Sequence, residues 1–130
     1  MPFKVLYYVA RKPGLTPSEF KTHYDTVHMP LIKSLAGDDF PTCHRRLYLA
    51  RPEPGEDNSY PVVAFAGLQD HFDYDCITEV TFEDEAAFKK FFGRRSEPGT
   101  KEIVDADEEK FVDRTKFRVV VVGGVEETTR

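Results

Sequence analysis

The chain has 130 residues, a formal net charge of -5 and 40% hydrophobic residues, a length and composition that fit one domain over 1–130. Its Lys and Arg residues form pairs and no cluster, which argues against nucleic acid as the main partner, because phosphate binding needs concentrated positive charge. No apolar run approaches the roughly 20 residues that cross a bilayer, and the N-terminus runs directly into a strand pattern. We therefore expect a cytoplasmic protein without a membrane partner.

The first predicted elements are a strand and a helix. Residues 4–10 are apolar, β-branched and aromatic, as is typical of a strand. A helix is predicted from about Thr16 to Gly37, because Thr16 and Glu19 have the spacing of a capping box and Pro17 suits the first helical position. The apolar residues spaced for burial on one face of this helix are Phe20, Tyr24, Val27 and Leu31.

His28 lies on this helix, one turn beyond Tyr24 and beside the apolar stripe. Pro30 lacks a backbone donor and is expected to kink or end the helix there, which would turn the ring toward a cavity. An imidazole titrates near neutral pH, so His28 is the candidate for proton transfer, the alternative being a structural ring bonded to backbone carbonyls. His23 lies about 140° away on an ideal helix and is expected to face solvent.

Six further segments complete the pattern. They are a strand over 43–50, a loose region over 51–74, a strand over 76–82, helices over 83–93 and 100–112, and a strand over 116–122. The loose region carries its own apolar residues, which favours a lid or an interface element over a linker. The order is that of the ferredoxin-like βαββαβ fold, an α+β fold with both helices on one face of the sheet. The first and last strands are too evenly apolar for a solvated second face, so we expect a homodimer.

Polar residues that interrupt apolar patterns are further candidates for a site. Asp107 interrupts the spacing of Ile103 and Phe111 on the third helix, where it either orients an imidazole inside the protein or joins a solvated acidic face. Glu79 breaks the third strand and faces either a pocket or a cross-strand ion pair in solvent. Arg46 has the geometry to clamp a carboxylate, although Arg45 has the same claim on the opposite face.

The chain lacks the spacing of other common sites. It has no Gly-rich phosphate loop, no serine elbow and no cysteine with an evident base. The gap between His23 and His28 does not match a zinc pair, which leaves His44 and His71 as the distant alternative ligands. We therefore expect no metal, and proton transfer as the chemistry.

The pattern resembles the EthD family of dimeric α+β-barrel proteins, in particular its short fungal branch found beside polyketide synthases. The resemblance covers nearly the whole chain, although the loose region is longer than in the simplest members. It implies a homodimer with facing sheets and a cofactor-free pocket between sheet and helices in each subunit. The matching residues are Phe20, His23, Tyr24, His28, Pro30, Leu31, the strand 75–82 with Glu79, the helix start 83–88 and the segment 107–113.

The resemblance further implies a lyase of secondary metabolism, which removes CO2 or water from an aromatic or polycyclic polyketide through an enol or enolate. His28 and Asp107 would be catalytic, and positioned acid–base groups of this kind supply about 10²–10⁴-fold in rate. An oxyanion donor such as Tyr8 or Tyr48 would add to this. The candidate substrate-binding residues are Tyr8, Tyr24, Arg46, Tyr48, Glu79 and Phe111.

Two other functions stay open at this point. One is a cofactor-independent oxygenase acting on an anthrone-like phenol, since similar dimeric barrels host that reaction. The other is a non-catalytic module that sequesters a hydrophobic aromatic metabolite. Release of CO2 or water without oxygen uptake would separate the lyase from the oxygenase, and saturable binding without turnover would indicate the module. The sequence does not identify the substrate.

Overall fold

A computed structural model describes residues 2–130 and arranges four strands of them in an antiparallel sheet. In chain order these are β1 (Phe3–Val9), β2 (Cys43–Tyr48), β3 (Cys76–Phe82) and β4 (Arg118–Val121). The strands lie side by side in the order β2-β3-β1-β4, and every neighbouring pair is antiparallel. This is the ferredoxin-like α+β arrangement that the sequence predicts.

The helical segments pack on one face of this sheet. They are α1 (Pro17–His23), a π-helical turn (Tyr24–His28), α2 (Met29–Ala36), α3 (Glu85–Arg95) and α4 (Thr100–Phe111). Alternate side chains of β1, namely Val5, Tyr7 and Val9, are buried against Phe20 and Phe111. The core therefore lies between the sheet and the helices, and four partly buried apolar residues of α3 pack against it, namely Ala87, Phe88, Phe91 and Phe92.

The first helix begins where the sequence predicts. The side-chain oxygen of Thr16 accepts from the backbone N–H of Glu19 at 3.1 Å, and the carboxylate of Glu19 accepts from the backbone N–H of Thr16 at 2.9 Å. Pro17 follows the cap and has no N–H to leave unpaired. These bonds fix the start of the helix and the register of the residues that follow.

The helix continues past Pro30 to Ala36, close to the predicted stop at Gly37, so of the kink or end expected at Pro30 the end does not occur, and a π turn precedes the proline. Across Tyr24–His28 the hydrogen bonds reach back five residues, as from the N–H of Met29. Two groups disfavour the α pattern here: Pro30 has no N–H, and the hydroxyl of Thr26 donates to the carbonyl one turn earlier at 2.5 Å. The additional residue in the turn changes the register, and Val27, expected to be buried, is 46% exposed.

The second face of the sheet is open in the protomer. Because successive side chains of a strand point to opposite faces, Lys4, Leu6 and Tyr8 lie on this face, across from the helices. Glu79 lies on the same face, and its carboxylate is 2.7 Å from Nζ of Lys4. All residues of β4 are exposed, and this strand is shorter than the predicted 116–122.

Arg51 holds the long loop between β2 and β3. Its guanidinium donates to the carbonyls of Tyr60, Phe72 and Tyr74 at 2.7–2.9 Å, which ties the loop down near both of its ends. The middle of the loop exposes apolar side chains, and Phe65 is fully exposed. None of the loop residues whose side chains the structure describes lines the cavity described below, so these residues form no lid over it within the protomer, while an interface role stays a prediction.

Candidate active site

A cavity of about 350 Å³ lies between the sheet and the helices. This volume falls within the range of about 300–1,000 Å³ that is typical of small-molecule sites. The lining is mostly apolar and aromatic, and its charged groups include Arg95 and Glu108, which pair with each other at 2.5 Å. Two imidazoles also line the cavity, those of His28 and His44. Imidazole is the side chain whose ordinary pKa lies nearest neutral pH.

Asp107 holds two histidines through its two carboxylate oxygens. Nδ1 of His28 lies 2.8 Å from Oδ2, and Nε2 of His23 lies 2.9 Å from Oδ1. The carboxylate needs these donors, because Asp107 is only 5% exposed and burying an unpaired charge is costly. The sequence left open whether Asp107 points into the protein or joins a solvated acidic face, and in the structure it points into the protein.

The contacts of Asp107 define the protonation states. Burial would raise the pKa of Asp107, but the hydrogen bonds from His28 and His23 hold this pKa below its ordinary value, so the carboxylate is ionised. Burial lowers the pKa of His28 by more than the neighbouring carboxylates raise it, so this ring is neutral at pH 7. A carboxylate only accepts hydrogen bonds, so Nδ1 of His28 carries the proton and Nε2 carries the lone pair.

Nε2 of His28 is therefore the basic atom of the cavity. Among residues 2–130, no side chain or backbone group forms a hydrogen bond to it, and the ring lines the cavity. A neutral imidazole whose other nitrogen donates to a buried carboxylate is held in one tautomer and one orientation. This arrangement can remove a proton from a bound molecule and later return it.

The inward face of α4 positions Asp107. Val104, Asp107 and Phe111 are buried at i, i+3 and i+7, while Ile103 is 47% exposed, so the expected stripe through Ile103 is wrong by one position. The ring of Phe111 stacks on that of His23, with centroids 4.6 Å apart, and contacts the ring of His28 at 4.9 Å. Phe111 thus restrains both imidazoles that Asp107 binds.

His23 does not face solvent, and the expectation from an ideal helix is wrong. In a π turn the hydrogen bonds link residues five apart, so His23 and His28 come onto the same side of the helix. Both rings then reach one carboxylate. The sequence carries a partial signal for this in Pro30 and Thr26, which weaken the α pattern on either side of His28.

His44 on β2 is a cavity residue that the sequence suggested only as a distant metal ligand. Its Nδ1 lies 2.9 Å from Nη1 of Arg46, and its ring makes edge contacts with those of Tyr24 and Tyr7. Burial lowers the pKa of His44 to about 3, and the adjacent Arg46 cation lowers it in the same direction. Strand alternation puts His44 and Arg46 on the helix-covered face.

The predicted substrate-binding residues Arg46 and Tyr48 stand behind the cavity and do not line it. Both donate to Asp25 in the π turn, Arg46 through Nε at 2.8 Å and Tyr48 through its hydroxyl. Tyr24 does line the cavity, but its hydroxyl is bonded to Thr78 at 2.9 Å. Burial raises the pKa of Tyr24, so its phenol stays neutral. Of the predicted binding residues, Tyr24 and Phe111 remain in contact with the cavity.

Tyr8 and Glu79 do not line this cavity, and their predicted role in substrate binding stays a prediction. Both point to the open face of the sheet, because they alternate with the buried residues of β1 and β3. Tyr8 packs against Tyr74 and the guanidinium of Arg118. Glu79 forms its ion pair with Lys4, the placement that the sequence left as the alternative.

Two other features are missing from residues 2–130, a metal-binding cluster of side chains and a membrane-spanning helix. No group of three or more His, Cys, Asp or Glu side chains there is arranged to hold a metal ion. No helix in that range is both long enough and apolar enough to cross a membrane.

The four-stranded antiparallel sheet with helices on one face defines an α+β protein of ferredoxin-like order, whose cavity contains a histidine paired with a buried carboxylate. The EthD domain family matches residues 12–115, and the chain belongs to this family.

Two fungal proteins are similar over most of the chain. The chain is 28% identical over 125 residues to Decarboxylase claH of Passalora fulva, and the matched region covers 92% of this chain and 73% of that protein. It is 24% identical over 113 residues to Dehydratase ustZ of Ustilaginoidea virens, and the matched region covers 85% of this chain and 75% of that protein.

Solved structures share the fold. An ethyl tert-butyl ether D family protein from Bacillus halodurans superposes with a TM-score of 0.54 at 14% identity, covering 96% of this chain and 100% of that chain. A protein from Arabidopsis thaliana superposes with a TM-score of 0.58 at 15% identity, covering 98% and 99% of the two chains.

Proposed function

We propose that this protein is a cofactor-independent lyase, which removes CO2 or water from an aromatic or polycyclic polyketide of secondary metabolism. The observation that carries the proposal is the neutral His28 ring, bonded to buried Asp107 and lining an apolar cavity. The two fungal relatives support it, since one is named a decarboxylase and the other a dehydratase. Both reactions pass through an enolate, which one positioned acid–base group can serve.

Loss of water follows directly from a neutral base. Nε2 of His28 takes a proton from the carbon next to a ketone, and the electron pair of that C–H bond moves to the ketone oxygen. The resulting enolate then re-forms its C=O bond, and the hydroxyl on the next carbon leaves. His28 returns its proton to this hydroxyl, which departs as water. Asp107 stabilises the imidazolium that exists between the two transfers.

Loss of CO2 uses the same groups in a different order. The bond to the carboxylate carbon breaks first, CO2 departs and the electron pair moves to the ketone oxygen. The enolate carbon then takes a proton from His28 in its protonated form, and the ring is reprotonated from water. Because His28 is neutral at pH 7, we expect proton abstraction to be the faster opening step, which favours dehydration.

The lining of the cavity suits a planar aromatic substrate. The rings of Tyr7, Tyr24 and Phe111 offer flat apolar surfaces, and few polar groups interrupt them. Such surfaces bind polycyclic molecules with little directional preference, so orientation must come from the polar groups of the lining, which include the two imidazoles, Arg95 and Glu108. The cavity is thus matched to a molecule with a large aromatic surface and a few oxygens at one edge.

The proposed function is tested with aromatic β-hydroxy ketones and β-keto acids as substrates. Release of water or CO2 would be measured together with oxygen consumption, with and without a chelator. We expect product to form without oxygen uptake, and we expect its amount not to fall when the chelator is present. Oxygen uptake in step with product would indicate the oxygenase instead, and saturable binding without product would indicate a binding module.

We also propose that a second copy of the chain covers the open face of the sheet. Leu47 is 42% exposed and Val120 is 48% exposed, and strand alternation puts both on this face. Lys4 and Glu79 place opposite charges between these apolar residues. A face with apolar residues and both signs of charge can pair with itself about a twofold axis.

A further inference from the structure

The two imidazoles of the cavity form hydrogen bonds to side chains of opposite charge. Asp107 accepts the proton of Nδ1 on His28, whereas Arg46 donates to Nδ1 of His44 at 2.9 Å. The ring of Tyr24 contacts both imidazoles, and its centroid lies 5.7 Å from that of the His28 ring and 5.9 Å from that of the His44 ring. Because a carboxylate only accepts and a guanidinium only donates, the two rings are held in opposite tautomers, one with an unprotonated Nε2 and the other with an Nε2–H.

Arg46 decides which nitrogen of His44 carries the proton. A guanidinium has only donors, so Nδ1 of His44 must accept and must be unprotonated. The ring is neutral, because burial and the nearby cation oppose a second proton. The proton of His44 therefore resides on Nε2, the nitrogen that does not face Arg46.

Arg46 is itself held in place by Asp25. Its Nε donates to Oδ1 of Asp25 at 2.8 Å, and the same carboxylate accepts from Lys21 at 2.8 Å and from the hydroxyl of Tyr48. This leaves Nη1 of Arg46 directed at His44. Other titratable side chains in contact with the His44 ring are Tyr7 and Tyr24, whose pKa values are both raised by burial, so both are neutral.

We propose that His44 is a second catalytic residue, which donates a hydrogen bond from Nε2–H to the enolate oxygen, and that Arg46 is its positioning residue. The inference rests on the proposed function, because the enolate is the one that His28 generates. The C–H proton goes to Nε2 of His28 and the electron pair goes to the substrate oxygen, while the proton of His44 stays on its nitrogen. A neutral donor stabilises the oxyanion without protonating it.

The chemistry of the lining supports His44 over the phenols. The hydroxyl of Tyr24 is already bonded to Thr78 at 2.9 Å. The hydroxyl of Tyr7 is the competing donor, since Tyr7 also lines the cavity. Among residues 2–130 no hydrogen bond fixes the direction of the Tyr7 hydroxyl, whereas Arg46 fixes the proton of His44, so we assign the donor to His44 and make Tyr7→Phe a comparison variant.

The first test examines the His44 tautomer without any ligand. Imidazole nitrogens of the whole protein would be observed by ¹⁵N NMR at neutral pH, with His44→Gln used to assign the resonances. We expect one protonated and one unprotonated nitrogen in wild type, with the proton on Nε2, and a mixture of tautomers in Arg46→Met. A ring with the proton on Nδ1, or with both nitrogens protonated, would overturn the proposal.

The second test uses 1-naphthol, whose ionised oxygen resembles an enolate on an aromatic ring. We expect wild type to bind the naphtholate in preference to the neutral phenol, as observed by absorbance, and His44→Leu to weaken naphtholate binding by about 10–100-fold, the usual worth of a hydrogen bond to a charged group. His44→Gln places an amide N–H near the position of Nε2–H and should recover much of the loss. His71→Gln, on the exposed loop, should match wild type.

Three results would contradict the role of His44. They are no naphthol binding by wild type, equal binding by the Leu and wild-type proteins, or a larger loss in Tyr7→Phe than in His44→Leu. Failure of the lyase assay gives a different pattern. If the tautomer and the naphtholate preference are as expected but no ketone or acid turns over, the donor assignment stands and the proposed reaction is wrong.

Discussion

Nδ1 of His28 lies 2.8 Å from Oδ2 of Asp107, and this contact leaves Nε2 as the free nitrogen of the ring. The contact joins the π turn of the first helical segment to α4, which is separated from it by 79 positions in sequence. An ionised carboxylate behind a neutral imidazole fixes its tautomer and stabilises its protonated form during a reaction. The chemistry proposed for the cavity depends on this pair.

Replacement of His28 by glutamine should abolish most activity while the fold is retained. We expect kcat to fall by about 10²–10⁴-fold, because glutamine fills similar space but cannot accept and return a proton. The melting temperature should change little, since one polar contact to Asp107 is altered. Steady-state kinetics and thermal unfolding are the measurements. His71→Gln is the matched control, and near-normal turnover of His28→Gln would defeat the assignment.

His23→Ala does not serve as a neutral control, because His23 also binds Asp107. Asp107→Asn should lower kcat by a smaller factor than His28→Gln, since it removes an orienting charge and not the base itself. The double variant with His28→Gln should be no less active than His28→Gln alone, because the two residues act as one unit. A multiplicative loss in the double variant would show that Asp107 acts by another route.

The pH dependence of turnover should report the titration of His28. Burial lowers the pKa of this ring below its ordinary value of 6.5, so kcat/KM should fall on the acid side with a midpoint below that value. Asp107→Asn should move the midpoint further toward acid, because the hydrogen bond from Asp107 raises the pKa of His28 in the wild type. Profiles from about pH 4 to pH 8 would test both shifts. A wild-type midpoint above the ordinary value would contradict the neutral base.

Folding stability should fall in acid partly through His44. Its pKa is about 3 in the folded protein and 6.5 as the ordinary value, so between these values the unfolded chain binds a proton that the folded protein does not. The free energy of unfolding therefore decreases as pH falls through this window, by about 1 kcal/mol per pH unit from this group. Urea unfolding at several pH values should show a shallower slope for His44→Gln. Parallel slopes for the two proteins would exclude a buried neutral His44.

The open sheet face should make the protein a homodimer. Val120→Glu places a charge on that face and should shift sedimentation at micromolar concentration from dimer to monomer, because burying an unpaired carboxylate in an apolar interface is unfavourable. Ile103→Glu on the exposed side of α4 is the matched control, since Ile103 has a similar exposure of 47%. A monodisperse wild-type monomer would remove the support for the facing-sheet arrangement.

The sequence by itself determined the order of elements and the location of the proposed base. The capping box at Thr16 and Glu19 predicted the helix start, because these signals involve residues within one turn of each other. The β-α-β-β-α-β order predicted the strand arrangement, since few topologies connect such elements without crossing. His28 and Asp107 stood out because each is a polar residue at or beside an apolar stripe.

Only the tertiary structure decided which side chains face the cavity. The period of two places Tyr8 and Glu79 on one face of the sheet and His44 on the other, but sequence periodicity does not say which face the helices cover. The π turn likewise depends on a small balance between backbone hydrogen bonds, the hydroxyl of Thr26 and the missing donor of Pro30. That balance brought His23 onto Asp107, which no spacing rule for a regular helix predicts.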